Sequence, residues 1–75
     1  MTILIDPTSA TPLYEQIVQQ IQRQILSGTL PQGELLPGVR TLAADLSVSI
    51  ITTRRAYEEL ERDGYIKTLP GRAVL

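Results

Sequence analysis

The chain has 75 residues, 43% of them apolar and 20% charged, enough for one small folded core and too few for two. It contains no Cys, His, Trp or Phe, which excludes disulfides, thiolate or imidazole metal sites and the common nucleophile–base pairs, and leaves no aromatic platform of Trp or Phe for single-stranded nucleic acid. The net charge of −1 argues against a blanket polyanion binder, but residues 1–37 set Arg23 against Asp6, Glu15 and Glu34, a net −2, whereas residues 38–75 set Arg40, Arg54, Arg55, Arg62, Lys67 and Arg72 against five acids, a net +1, so an anion-binding surface belongs to the second half.

Residues 1–10 read as an N-terminal arm. Thr2-Ile3-Leu4-Ile5 is β-prone, and Asp6-Pro7 breaks it, giving either a frayed segment or a short edge strand. Thr11 as N-cap and Pro12 at the first helical position open a helix over 12–27. Leu13, Ile17, Ile21 and Ile25 form its apolar stripe, and Gly28 ends it. The opposite face, with Gln16, Gln19, Gln20, Gln22, Arg23 and Gln24, reads as solvated. Leu35-Leu36-Pro37 has room for one or two strand pairs. Pro37-Gly38 then opens a second helix through Val39, Leu42, Ala43 and Leu46. Ser47-Val48-Ser49 is a three-residue break, and Ser49 caps a third helix over 50–63 whose inner face is Thr53, Ala56, Tyr57 and Leu60. After Gly64 the pattern turns extended: a strand over 65–68, a tight turn over 69–72 and a second strand from Ala73. No apolar run exceeds three residues, so no membrane span or signal-peptide core is expected and the chain reads as cytoplasmic.

Two short helices joined by a three-residue turn suggest helix-turn-helix, and a hairpin directly after them suggests the winged variant. The expected fold is therefore mainly α with a small β-hairpin: three helices plus a wing, over residues 11–75. The residues add to this. Leu36-Pro37-Gly38-Val39-Arg40-Thr41-Leu42-Ala43, Val48-Ser49, Thr52 through Ile66 and Pro70-Gly71-Arg72 resemble the DNA-binding domain of the GntR family of bacterial transcription regulators. The approach from Pro12 to Gly33 is similar to its YtrA-type branch.

The resemblance implies sequence-specific binding of double-stranded operator DNA, with palindromic sites as the partner of a homodimer in the full-length protein, the recognition helix (about 50–63) in the major groove and the wing (69–73) at the minor groove. It implies DNA contacts at Arg40, at Ser49, Ile50, Ile51 and Thr52, at Arg54, and at Gly71 and Arg72. It also implies a C-terminal dimerisation and effector region, for which these 75 residues have no room; the effector is open, and the place of action is the bacterial nucleoid. Three positions depart from the family pattern: Gly38 where Ser or Ala is usual, Ile50 where many members have Arg, and Ala73 where a second Gly is usual. Thr53 stands at a site usually filled by Val or Leu.

A helical wheel turns Arg55 outward and puts Arg54 on its flank, whereas the resemblance favours Arg54, so both stay candidates. Each lies four residues before an acid, and the plainer reading of both is a solvated ion pair. Ile51 falls opposite the inner face and suits a thymine methyl. Arg40 suits a phosphate, or an acid on its own or the third helix. Ser49 is first a cap, and Gly71-Arg72 is at least a hairpin turn. Glu58, Glu59, Glu61 and Asp63 make the second half of helix three repellent to phosphate, leaving its first half for the groove. No catalytic residue, cofactor or metal site is expected. A protein-interaction module on the same fold is the competing function.

Overall fold

Helix α1 spans Leu13–Leu26, strand β1 Leu35–Pro37, helix α2 Val39–Leu46, helix α3 Ile50–Arg62, and strands β2 and β3 Lys67–Leu69 and Arg72–Val74. The computed structural model describes all residues, 1–75. α3 packs on both α1 and α2, and the strands form one antiparallel sheet in the order β1-β3-β2. The core joins Ile17, Val18 and Ile21 of α1 to Leu42 of α2, Ala56, Tyr57 and Leu60 of α3, and Leu36, Ile66 and Ala73 of the sheet region. Ile17, Ile21 and Leu60 are fully buried, and each contributes about 1.5–3 kcal/mol relative to an exposed side chain.

The helix ends follow from local chemistry. Thr11 does not cap α1: the helix starts one residue later, with Pro12 extended at ψ 149° in the cap position and no side-chain cap bond. The Thr11 carbonyl instead accepts from Gln16 Nε2 at 2.9 Å. Gly28 turns the chain out of α1 at φ +82°, and Gly64 does the same after α3. After α3 the Gly64 N–H reaches the Glu61 carbonyl and the Tyr65 N–H the Leu60 carbonyl, the paired closure that a left-handed residue permits. α2 closes identically, Ser47 N–H to Ala44 and Val48 N–H to Ala43, yet its left-handed residue is Ser47 at φ 56°, which carries a Cβ. The 47–49 break is therefore a tight left-handed turn between two helices.

The arm is neither frayed nor a strand, and the glutamine face of α1 is not simply solvated. Gln16 both accepts from the Asp6 N–H and donates to the Asp6 carbonyl, each at 2.8 Å. Gln20 does the same to Leu4, at 2.8 and 2.6 Å. Gln24 donates to the Thr2 carbonyl at 2.7 Å. Three side-chain amides spaced four residues apart thus grip alternate residues of an extended arm. Ile3 and Ile5, between the gripped residues, are half-buried against the core, while Leu4 stays exposed.

The wing also differs from a plain two-stranded hairpin. β1 pairs with β3 over Leu35↔Val74, Leu36↔Ala73 and Pro37↔Arg72, so β3 is central. Pro37 is tolerated because β1 is an edge strand. β2 begins at Lys67 rather than Tyr65, since closing α3 uses the Tyr65 N–H and Ile66 is buried in the core. Ala73 is fully buried between Leu36 and Thr68 and has no positive φ. The turn needs one left-handed residue, Gly71 at φ +74°, so alanine at 73 does not stiffen it.

Candidate nucleic-acid interface

The N-terminus of α3 is organised by Ser49. Its Oγ accepts from the Thr52 N–H at 3.0 Å and donates to Thr52 Oγ1 at 2.8 Å. Such a cap is worth about 1 kcal/mol. Thr53 is fully buried, and its hydroxyl donates to the Ser49 carbonyl at 3.2 Å, so a polar residue occupies an apolar site without an unpaired group. Ile50 and Thr52 are half-buried. Ile51 is 76% exposed, an isoleucine held out in water at the start of the helix.

Arg54 and Arg55 part ways. Arg54 is exposed and lines an open cleft of about 410 Å³ between the start of α2 and the wing. Arg40 and Arg72 line the same cleft, with Gly38, Gly71 and Thr68 in its wall, and no carboxylate among its lining residues. None of the three arginines forms an ion pair; the only pairs are Arg55–Glu59 and Arg62–Asp63. Asp63 holds the Arg62 guanidinium above its usual range through a hydrogen bond and its charge. Arg55 turns to α1. Its guanidinium carbon lies 3.9 Å from the Tyr14 ring centroid, its Nη2 donates to the Tyr14 hydroxyl at 3.2 Å, and its Nε stands 4.0 Å from Glu59.

Gly38 caps α2 without a side chain. The first helical bond runs from Leu42 to the Gly38 carbonyl, so the N–H groups of Val39, Arg40 and Thr41 make no hydrogen bond. All three residues line the cleft. A helix start with open N–H groups and three unpaired arginines is suited to an anion. The missing hydroxyl at 38 thus leaves donors free. With the wing turn where it stands, the Ser or Ala usual at this position would not fit: a Cβ on Gly38 would stand 2.5 Å from the Gly71 carbonyl oxygen.

Two latches tie this surface to α3. The Tyr57 hydroxyl donates to the Pro37 carbonyl at 2.6 Å, and burial pushes this phenol well above its usual range, so it remains a donor. Glu61 accepts from the Thr68 N–H at 2.8 Å, so one acid of the α3 C-terminal half holds the wing. From sequence, Glu61 reads only as a repulsive charge and Gly38 only as a departure from the family's usual Ser or Ala. The distance from Glu61 to the strand after Gly64 was a usable signal for the first; nothing local signals the second. No group of three or more His, Cys, Asp or Glu is placed to hold a metal.

Three helices with a left-handed turn before the capped third helix, followed by a wing beside an arginine-lined cleft, define a winged helix-turn-helix. The model of the bacterial regulatory proteins, gntR family, matches residues 13–75, and the chain belongs to that family. It is 50% identical over 72 residues to the HTH-type transcriptional repressor YtrA of Bacillus subtilis (strain 168), covering 96% of this chain and 55% of that protein. Identity to the HTH-type transcriptional repressor STM4068 of Salmonella typhimurium is 40% over 67 residues, 89% of this chain and 28% of that protein. The structure superposes on YtrA from Sulfolobus acidocaldarius, a GntR-family transcription factor, with a TM-score of 0.90 and 41% identity, covering 97% of this chain and 78% of that one. The chain spans about half the length of the Bacillus relative and less of the Salmonella one. No helix is long and apolar enough to cross a membrane.

Proposed function

We propose that the domain reads a double-stranded operator with the first half of α3 in the major groove and the Gly71-Arg72 turn at the minor groove. Ile51 meets a thymine methyl, and Ser49 and Thr52 approach the backbone at the helix start. Arg40 and the open N–H groups of α2 take a phosphate. Arg54 supplies the guanine-reading fork, because Arg55 is spent on Tyr14 and Glu59. The observation that carries this reading is the cleft, where Arg40, Arg54 and Arg72 converge unpaired with no acid among them.

The domain acts by binding and catalyses nothing. In the full-length protein two copies bind as a homodimer to a palindromic operator, half-sites lying about one helical turn or a multiple of it apart. The place of action is the nucleoid in a bacterial cytoplasm. One domain alone supplies one set of contacts and binds a half-site weakly. The test is a salt titration of this chain on a selected duplex and a scrambled one. Counterion release predicts a steep loss of both affinities with salt. No binding to either duplex at low salt would favour a protein-interaction module instead.

A further inference from the structure

Four of the five glycines have positive φ and nothing within 4 Å of where a Cβ would stand; they are chosen by backbone conformation. Gly38 is the reverse case. Its φ of −66° and ψ of 167° suit any residue, so its backbone does not require glycine. Its space does. A Cβ there would stand 2.5 Å from Gly71 O, 2.7 Å from Gly71 C and 3.2 Å from Arg72 N. All three are backbone atoms, so no side-chain rotation relieves the contact.

The Gly38 side of this contact cannot recede easily. The preceding residue, Pro37, is tied by its carbonyl to the buried Tyr57 of the recognition helix, and it pairs with Arg72 at the end of the sheet. The wing side is fixed at its base, where Thr68 is held by Glu61 and Ala73 by Leu36. Beyond the Pro37↔Arg72 pair only the Pro70-Gly71 turn remains free to move.

We infer that Gly38 is a positioning residue for the wing: its missing side chain sets how closely the Gly71-Arg72 turn seats against α2, and so the span between the wing and Arg54. This rests on the proposed DNA contact of the wing. Both glycines and both arginines border the one cleft, so a displaced turn alters the spacing of the cations themselves.

The test is a double-mutant cycle in the 75-residue chain, with Gly38→Ala and Arg72→Ala measured singly and together on the selected duplex. If Arg72→Ala costs about tenfold in the native background, it costs under about twofold after Gly38→Ala, whereas Arg54→Ala costs the same fold in both. An unchanged Arg72 effect in the Gly38→Ala background would overturn the proposal. The amide spectrum of free Gly38→Ala gives a second readout that does not need DNA: perturbations concentrated at residues 71–73 support wing displacement, and perturbations running along α2 refute it. Loss of any Arg72 effect in the native chain, with the spectral shifts confined to the wing, would sink the minor-groove reading and leave the seating intact. Should Gly38→Ala not fold, Tyr57→Phe decides: it frees the Pro37 carbonyl and lets the Gly38 side of the contact recede, so the Arg72 contribution falls while that of Arg54 is kept, and an unchanged Arg72 contribution overturns the proposal.

Discussion

Arg55 of the recognition helix lies over the ring of Tyr14 on α1 and hydrogen-bonds its hydroxyl, while its neighbour Arg54 makes no ion pair and borders the cleft. Adjacent arginines on one helix are thereby given different work. Arg54→Ala is expected to lose roughly 1–3 kcal/mol on the preferred duplex and less on a scrambled one. Arg55→Ala is expected to lose about 0.5–1 kcal/mol of folding stability through the lost cation–π contact, with the preference between duplexes kept. Urea melts and paired binding isotherms check both. A loss of sequence preference in Arg55→Ala with Arg54→Ala unaffected would reverse the assignment.

Arg40 sits in the first turn of α2 beside the open N–H groups of Val39 and Thr41. A phosphate there is read without regard to sequence. Arg40→Ala should weaken specific and scrambled duplexes alike and lower the slope of log affinity against log salt by about one unit. A change restricted to the preferred duplex would make Arg40 a base reader.

Ser47 closes α2 in the left-handed region at φ 56°, where Gly64 closes α3 with the same pair of bonds. A residue with a Cβ is strained there by about 1–2 kcal/mol, partly offset by the larger unfolded-state entropy of glycine. Ser47→Gly is expected to raise stability by up to about 1 kcal/mol and leave DNA affinity unchanged. Thermal melts of the two chains settle it, and a lower midpoint for Ser47→Gly would show that the strain is absent.

Gln20 makes both bonds of the middle rung that holds the arm. Gln20→Ala should release Leu4 and expose Ile3 and Ile5, with faster amide exchange at Leu4 and a loss of about 1–2 kcal/mol. Unaltered exchange at Leu4 would mean that the flanking rungs suffice.

The helices were legible because each carries its own period and its own terminator: Ile17, Ile21 and Ile25 on one stripe, Gly28 and Gly64 at two ends. The Ser47–Ser49 break was legible from composition alone. What escaped depended on partners distant in sequence. A glutamine row looks solvated until an extended arm is laid along it. Leu35–Pro37 is too short to announce that it pairs with β3. The choice between Arg54 and Arg55 turned on Tyr14, which no helical wheel of α3 contains. Gly38 reads from sequence only as a departure from the usual Ser or Ala, whereas the wing turn beside it leaves no room for a Cβ.

The glutamine rungs on α1 have a built-in end. Four residues of helix advance about 6.0 Å and rotate about 40° past a full turn. Two residues of extended chain advance about 6.6 Å. The two scales therefore slide past each other like a vernier. Misregister is least where the arm enters the helix and grows toward Met1. The bonds follow this order: Gln16 and Gln20 each make a reciprocal pair with the arm, but Gln24 only donates, and its buried Oε1 is left without a partner. The arm is thus gripped firmly at Asp6 and loosely at Thr2, and thermal opening should travel inward from the N-terminus, one rung at a time.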